Sequence, residues 1–329
     1  MAPGIGDGWR RGALAAAAAM LAALFATAAG AKELTTLRVA NFRNAVVLPL
    51  YDGIEKGYFK DAGLDVQIVR VATGAASVSA VASGQADIGW AAVAVPMFAR
   101  AKGVPVKIFM IANEDGPPDH YDLSIDVSGR SGITDFAQMK GKTVMINAFG
   151  TATEMAIRER LQKAGVSWDE VKKVVVPFPQ MPAALELGNA DVAVTIYPMQ
   201  AQIMADKTTA ARMLDHGVLM ESRTRPIAVS CYFATDSWLA KNRETALAFG
   251  RAYRRAAAEV QASAALRTEL LVKLLGMKPD MAKVVPDLTW FHDLAVEKAA
   301  VAPNYDVLVS TGMMMKTFPV DDVIATLPF

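Results

Sequence analysis

Residues 147–154, with the sequence NAFGTATE, combine residue types that can bind an anion. Gly150 lets the backbone approach a ligand closely, and Thr151 with Glu154 has the Thr-x-x-Glu spacing that predicts a capping box at the start of a helix. The first N–H groups of a helix have no partner within it and lie at the positive end of its dipole. The hydroxyl groups of Thr151 and Thr153 lie beside these N–H groups. The sequence therefore predicts an anion site at this helix start, with a helix cap alone as the alternative.

A second helix start, TGAAS at residues 73–77, is the candidate for the opposite wall of the same site. Gly74 and Ser77 could donate hydrogen bonds from it, and an ordinary loop-to-helix turn is the alternative. Arg43 could pair with a carboxylate or sulfonate group, or could be a solvated arginine. Asn44, beside it, is included as a ligand-binding candidate.

Four aromatic residues fall where predicted strands end, namely Phe42, Trp90, Phe149 and Tyr197. At these positions they could enclose the apolar body of a small ligand, as in most small-molecule sites. For each of them, a place in the hydrophobic core is the alternative.

The elements that position these residues follow a repeated pattern. GQADIGW at residues 84–90 returns as GNADVAV at residues 188–194. In each copy the glycine can end a helix in the left-handed conformation, and the aspartate can hydrogen-bond local backbone as a strand begins. Around the copies, strands and helices alternate in the order β-α-β-α-β. The predicted strands are residues 37–41, 64–71, 87–95, 142–147, 172–178 and 191–198.

This alternation predicts an α/β protein with two lobes, each a mostly parallel sheet flanked by helices. A chain of 329 residues has room for about two domains of ~150 residues. Ligands of such sheets bind beyond the carboxyl ends of the strands. The candidate residues lie at these ends, so two facing lobes would enclose them in a cleft.

Five motifs in a fixed order carry a family resemblance: PLYDGIEKGYFKDAGLDVQIV, ASGQADIGW, FAQMKGKTVMI, RLQKAGV and LGNADVAVTIYP. They resemble periplasmic substrate-binding proteins of nitrate, sulfonate and taurine ABC transporters, a family that also includes binders of thiamine-pyrimidine precursors. The resemblance implies a periplasmic-binding-protein clamshell with two hinge strands, at residues 121–127 and 227–235. Lobe 1 would comprise residues 32–124 and 230–329, and lobe 2 residues 125–229.

The resemblance also implies a function. The chain would capture a small organic anion in the periplasm and deliver it to an ABC permease and ATPase as a monomer. In the sulfonate and taurine binders the pair matched by Thr151 and Thr153 contacts the anionic head. Many members have an acidic residue before the proline matched by Pro198, whereas this chain has Tyr197, which weakens the case for an amine-bearing ligand. A neutral pyrimidine ligand and a ligand-sensing role remain alternatives.

The N-terminus has the pattern of an export signal. Arg10 and Arg11 precede an alanine-rich apolar stretch, and a small-residue cleavage site ends at Ala31. Residues 1–31 are therefore predicted to be a signal peptide that is cleaved, with an uncleaved anchor as the alternative. Without them, acidic and basic residues balance, so neither nucleic acid nor an anionic membrane is indicated as a partner.

Catalysis is the rival interpretation. The chain lacks the phosphate-binding loop, the nucleophile elbow and the zinc-protease motif. His120, His216 and His292 have no second metal ligand at a recognised spacing, and Cys231 is predicted to be an inert buried residue. The eukaryotic pyrimidine synthases of the resembled family carry a cysteine-rich motif that is absent here. We therefore predict a protein that is not an enzyme and that has neither a metal nor a cofactor.

Overall fold

The computed structural model describes residues 33–117, 120–283, 285, 289–290 and 296–329. The predicted signal peptide at residues 1–31 and His292 lie outside the described residues. Within those ranges, the model contains no helix with both the length and the apolar character needed to cross a bilayer.

The first sheet contains strands from both ends of the chain, in the spatial order β11-β4-β10-β3-β1-β2. Its strands are β1 (Thr35–Asn41), β2 (Leu64–Arg70), β3 (Ile88–Ala92), β4 (Val106–Asp115), β10 (Ile227–Thr235) and β11 (Thr289–Trp290). β1 pairs with β3 in parallel, whereas β10 runs antiparallel to β3 and β4.

The second sheet contains the middle of the chain, in the order β7-β6-β8-β5-β9. Its strands are β5 (Leu123–Val127), β6 (Thr143–Ile146), β7 (Lys172–Val175), β8 (Val192–Ile196) and β9 (Arg212–His216). β6 pairs in parallel with β7 and β8, while β5 runs antiparallel to β8 and β9. Both sheets are therefore mixed. The predicted hinge strands correspond to β5 and β10, each the first strand after the chain passes between the sheets. Both take part in antiparallel pairs, and β11 adds another with β4.

Twelve helices connect and cover the strands in the described residues. They are α1 (Leu48–Glu55), α2 (Tyr58–Asp61), α3 (Gly74–Ala82), α4 (Ala94–Ala101), α5 (Ala152–Lys163), α6 (Met181–Glu186), α7 (Met199–Ala205), α8 (Asp236–Lys241), α9 (Arg243–Ala262), α10 (Ala264–Leu275), α11 (Pro279–Ala282) and α12 (Lys298–Ser310). The predicted strand at residues 87–95 was too long, because helix α4 already begins at Ala94.

Strand alternation divides the core of the second lobe into two layers, because successive side chains of a strand point to opposite faces. On β6, Val144 and Ile146 pack with the apolar face of α5, whereas Met145 packs with α6 and α7. The sheet is therefore covered by helices on both faces, as the alternation of strands and helices predicted.

The aspartate of each repeated joint accepts a hydrogen bond from the backbone of the neighbouring strand. Asp87 Oδ2 accepts a hydrogen bond from the backbone N–H of Arg38 at 2.8 Å, and Asp191 Oδ2 accepts one from the N–H of Thr143 at 2.8 Å. The glycines of both joints have the left-handed conformation, as predicted. The prediction of a local backbone partner for the aspartates was wrong, because parallel pairing brings an unpaired N–H of the next strand within reach.

The chain passes between the two sheets twice, once between β4 and β5 and once between β9 and β10. Asp115 links both passages. Its Oδ1 accepts a hydrogen bond from the N–H of Asp122 at 3.0 Å, and its Oδ2 accepts one from the N–H of Val218 at 2.6 Å. The domain boundaries given above stay a prediction.

Candidate ligand-binding site

Two neighbouring cavities lie where the carboxyl ends of the parallel strands of both sheets face each other. The smaller one, which we call the inner chamber, has a free volume of ≈ 60 Å³. Its lining includes Phe42, Gly74, Trp90, Asp122, Asn147, Thr151, Ala152, Thr153, Phe178, Ile196 and Ser230. Residues from both lobes therefore form its wall, as a cleft between two lobes requires.

The second cavity, the outer chamber, has a free volume of ≈ 300 Å³. It shares Phe42, Asn147, Phe178 and Ile196 with the inner chamber. Its lining also includes Arg43, Asn44, Thr73, Pro177, Tyr197 and Pro198. Because the two chambers share these lining residues, they lie side by side. A ligand held in the inner chamber could therefore extend into the outer one.

The start of α5 lies on the wall of the inner chamber, but the predicted capping box does not form. The side chain of Thr151 makes no cap hydrogen bond; its Oγ1 donates to the carbonyl of Ala148 at 2.7 Å. Glu154 Oε2 accepts from the N–H of Gly150 at 2.7 Å. Gly150 has a φ of 71°. In this left-handed conformation Gly150 donates its N–H to Glu154, whereas a capping box would use the N–H of Thr151.

The hydroxyl groups at this helix start are engaged within the protein. Thr153 Oγ1 donates to Asn147 Oδ1 at 2.7 Å and lies 2.9 Å from Thr151 Oγ1. The groups left to donate into the chamber are the backbone N–H groups of residues 151–153, which cannot bond within the helix, and the Nδ2 group of Asn147. Of the predicted donors at this site, the amide N–H groups therefore remain, whereas the hydroxyls of Thr151 and Thr153 are used within the protein.

Trp90 supplies a further donor from the first lobe. Its side chain is only 5% exposed, and no described residue accepts a hydrogen bond from its buried Nε1. Phe42 packs against it edge to face, with ring centroids 4.9 Å apart and an interplanar angle of 73°. Since a buried indole N–H usually has a partner, this orphan donor marks a position where a ligand acceptor fits.

Some predicted site residues lie elsewhere. Phe149 is 59% exposed, and both it and Gly150 line a separate groove with Phe98 and Arg158 rather than either chamber. Ser77 is fully buried and its Oγ donates to the carbonyl of Ala40 at 3.3 Å, so it packs beneath the chamber wall.

Other predicted residues line the outer chamber only. Tyr197 is buried there. The guanidinium of Arg43 lies 6.0 Å from the ring centre of Tyr51. Asn44 uses its Oδ1 to accept the N–H of Val46 at 2.9 Å, which leaves its buried Nδ2 unpartnered among the described residues. The structure thus brings together Phe42, Gly74, Trp90, Thr151 and Thr153 in the inner chamber.

Several members of the inner wall were not among the predicted site residues, including Asp122, Asn147, Phe178, Ile196 and Ser230. Asn147 ends a predicted strand and Ile196 lies near the end of another, so the strand-end rule indicates both. Asp122 reaches the chamber from the first passage between the sheets, and Ser230 from β10; no local motif indicates that these passages border a ligand site.

The remaining groups with possible chemistry are poorly placed for it. Cys231 is fully buried, and burial raises the pKa of its thiol. The ring of His216 stacks on that of Tyr121, with centroids 4.1 Å apart. Among the described residues, no group of three or more His, Cys, Asp or Glu side chains is arranged to hold a metal ion.

Comparison with known proteins adds independent findings. The model of the family described as "NMT1/THI5 like" matches residues 44–264. The chain is 26% identical over 246 residues to 4-amino-5-hydroxymethyl-2-methylpyrimidine phosphate synthase of Aspergillus parasiticus, an alignment that covers 72% of this chain and 68% of that protein.

Solved structures extend the likeness to almost the whole chain. The alkanesulfonate-binding protein SsuA of Xanthomonas axonopodis pv. citri, bound to MOPS, superposes with a TM-score of 0.75 at 16% identity, covering 89% of this chain and 99% of that chain. The periplasmic aliphatic sulphonate binding protein SsuA of Escherichia coli gives a TM-score of 0.71 at 19% identity, with 89% and 92% covered. At these identities the likeness establishes the fold, and the predicted two-lobed α/β architecture is confirmed.

Proposed function

This chain belongs to the NMT1/THI5-like family, and we propose that it is a solute-binding protein that captures a small organic ligand between its lobes. The ligand carries a sulfonate or carboxylate head, which binds at the start of α5. Its body lies against Trp90 and Phe42 and extends toward Tyr197 in the outer chamber.

The open start of α5 is the observation that carries this proposal. Thr151, Ala152 and Thr153 line the inner chamber, and no side chain caps their helix, because the Thr151 hydroxyl donates to Ala148. A helix start binds anions through such N–H groups and through the positive end of its dipole. Each hydrogen bond to a charged group contributes roughly 1.5–3 kcal/mol.

Capture would be coupled to closure of the lobes. The inner chamber has Trp90 on the first lobe and Thr153 on the second, so one ligand can contact both. A ligand shifts a protein toward the closed form only if it binds that form more tightly than the open one. We propose that the closed protein, exported to the periplasm as a monomer after cleavage of residues 1–31, delivers its ligand to an ABC permease and ATPase.

A neutral aminopyrimidine is the second candidate ligand. One observation favours it: Trp90 Nε1 and Asp122 Oδ1 border the same chamber beside aromatic rings, and neither this donor nor this acceptor has a hydrogen-bond partner among the described residues. A flat heterocycle with ring nitrogens and an amino group complements such a pair. Binding, rather than catalysis, is proposed for this ligand also.

Titration calorimetry of two variants tests the proposal, after a thermal-shift screen of alkyl sulfonates, carboxylates and pyrimidines has found a ligand. Thr153→Ala removes the hydroxyl that orients Asn147, and Trp90→Ala removes the ring that contacts the ligand body. We expect Trp90→Ala to weaken binding of a sulfonate or carboxylate by about ten- to a hundredfold because the ring contact is lost. We expect Thr153→Ala to weaken it by about tenfold, because Asn147 Nδ2 is no longer held in place to donate to the charged head.

Thr268→Ala is the matched control, since Thr268 is a half-buried helix threonine that lines neither chamber. Unchanged affinity in Thr153→Ala, with a pyrimidine as the tightest ligand, would contradict the anion site and favour the second candidate.

A further inference from the structure

Asp122 is a buried carboxyl on the wall of the inner chamber. Its side chain is only 6% exposed, and its Oδ1 atom is buried without a hydrogen-bond partner among the described residues. Its backbone N–H donates to Asp115 Oδ1 at 3.0 Å, so its position in the wall is held by the same residue that links the two passages between the sheets.

The charged groups around Asp122 do not compensate a carboxylate. Asp115 faces it directly and carries the same sign of charge, while the charge of Arg160 acts on Asp115. Tyr197 lies near enough for Asp122 and Asp126 to raise its pKa. Among the described residues, neither Lys nor Arg lines the inner chamber. Burial, and then the charge of Asp115, raise the pKa of Asp122.

A buried polar group without a partner is costly, and a buried unpaired charge more so. Such a group on the wall of a cavity is satisfied when a ligand supplies the complementary atom. The remaining free polar groups of the inner chamber are donors: Trp90 Nε1, Asn147 Nδ2 and the N–H groups of residues 151–153. Asp122 Oδ1 is the acceptor among them.

We propose that Asp122 is a specificity-determining residue that selects ligands with an N–H donor, either an amine or an amino-substituted heterocycle. This inference rests on the proposed function, because it concerns a ligand held in the same chamber. The donor of the ligand binds Asp122 while its acceptor or anionic group binds the start of α5.

A carboxyl at Asp122 offsets the argument against an amine-bearing ligand that Tyr197 provides. The family's acidic residue before the matched proline is replaced here, which argued against an amine-bearing ligand. The structure supplies a carboxyl to the same cleft from a different segment, at the end of the first passage between the sheets.

Proton linkage follows from the proposal. An N–H donor, above all a cationic one, favours the ionised form of Asp122, so binding should strengthen as pH rises while the amine stays protonated. A ligand with acceptors only would favour the protonated form, and its binding would weaken over the same range.

The experiment uses the mature protein and two matched pairs of probes: 2-aminoethanesulfonate with ethanesulfonate, and 4-aminopyrimidine with pyrimidine. Calorimetric titrations at pH 5 to 8 compare the wild type with Asp122→Asn, which keeps the shape of the side chain and removes its charge. We expect the amino member of at least one pair to bind the wild type at least tenfold more tightly than its partner. Asp122→Asn should reduce this preference and remove the pH dependence of binding for both members of the pair.

Equal affinity within both pairs, or an unchanged preference in Asp122→Asn, would overturn the role of Asp122. If ethanesulfonate binds as tightly as the amino probe and Thr153→Ala weakens it, the anion site stands and only this inference fails. Absence of binding by all four probes would instead contradict the proposed function itself. Circular dichroism of Asp122→Asn establishes that the variant is folded.

Discussion

The starts of α3 and α5 occupy corresponding places in the two lobes, yet the threonine before each helix forms a different hydrogen bond. Both helices follow a threonine in an extended conformation. Thr73 accepts the N–H of Ala76 at 3.1 Å and so caps its own helix. Thr151 instead donates to Ala148 and leaves the first N–H groups of its helix uncapped.

The first lobe therefore contributes a capped helix start to the cleft, and the second lobe contributes an uncapped one whose N–H groups can donate to a ligand. A side-chain cap satisfies an N–H group that would otherwise be available to a ligand. At α3 that group is used within the protein, whereas at α5 it remains for the chamber. Equivalent positions of a duplicated architecture can therefore differ in function through the direction of a single hydroxyl.

A buried arginine anchors helix α5 of the second lobe. Arg160 on α5 is 1% exposed and donates to the carbonyls of His216 and Gly217 at 3.0 and 2.9 Å, in the second passage between the sheets. It also pairs with Glu159 at 2.9 Å and with Asp215 at 3.1 Å. Through these contacts the helix that bears the candidate anion site is fixed to the hinge region.

Removing this anchor should have the largest effect. Arg160→Met leaves Glu159 and Asp215 buried with less compensation, and breaking a buried ion pair in this way typically costs about 3–5 kcal/mol. Urea unfolding followed by circular dichroism should show a loss of this size. Lys163→Met is the control, because Lys163 pairs with Glu159 from an exposed position and should cost at most about 1 kcal/mol. Equal losses in the two variants would show that the buried anchor has no special role.

A change of pH tests the buried polar centre of the second lobe. Asp126 on β5 is fully buried, and the hydroxyls of Ser124 and Thr195 donate to its Oδ2 at 2.8 Å. Burial raises its pKa from 3.8 to about 7. Between these values the folded state retains a proton that the unfolded state has lost. The free energy of unfolding should therefore fall as pH rises, by up to about 1.4 kcal/mol per pH unit, and level off above pH ~7.

Asp126→Asn isolates this contribution, since Asp115 and Glu114 also have pKa values raised to about 7 by burial. The asparagine keeps an acceptor for both hydroxyls and cannot ionise. Relative to the wild type, the variant should gain about 1–3 kcal/mol between pH 5 and pH 8. Urea titrations at both pH values measure this gain, and a constant difference between the two proteins would contradict it.

The smallest effect directly tests the two helix starts. Thr73→Asp keeps an acceptor for the N–H of Ala76 and places a negative charge at a helix start, so stability should change by less than about 0.5 kcal/mol. Thr151→Asp has no hydrogen to donate to Ala148 and faces Glu154, and should lose about 1 kcal/mol. Thermal unfolding at pH 7 compares them. If Thr151→Asp is as stable as Thr73→Asp, then Thr151 caps its helix in solution after all.

Short-range patterns predicted much of the fold. Three correctly predicted features depend on residues only a few positions apart. They are the strand that follows each glycine–aspartate joint, the left-handed conformation of the joint glycines and the start of α5 at Ala152. Such features follow from backbone sterics and the period of apolar side chains. The ordered motifs were specific enough for the family resemblance, which the family match confirms.

The chemistry of the site depended on contacts between distant segments. The sequence by itself determined that a glycine and two threonines begin a helix at a strand end. Tertiary structure decided that Thr153 holds Asn147, that Phe149 lies outside the chambers and that Asp122 lines the inner one. These outcomes depend on how the lobes are packed and where the chain passes between them, because a side chain's partners there are set by elements far away in sequence rather than by its neighbours along the chain.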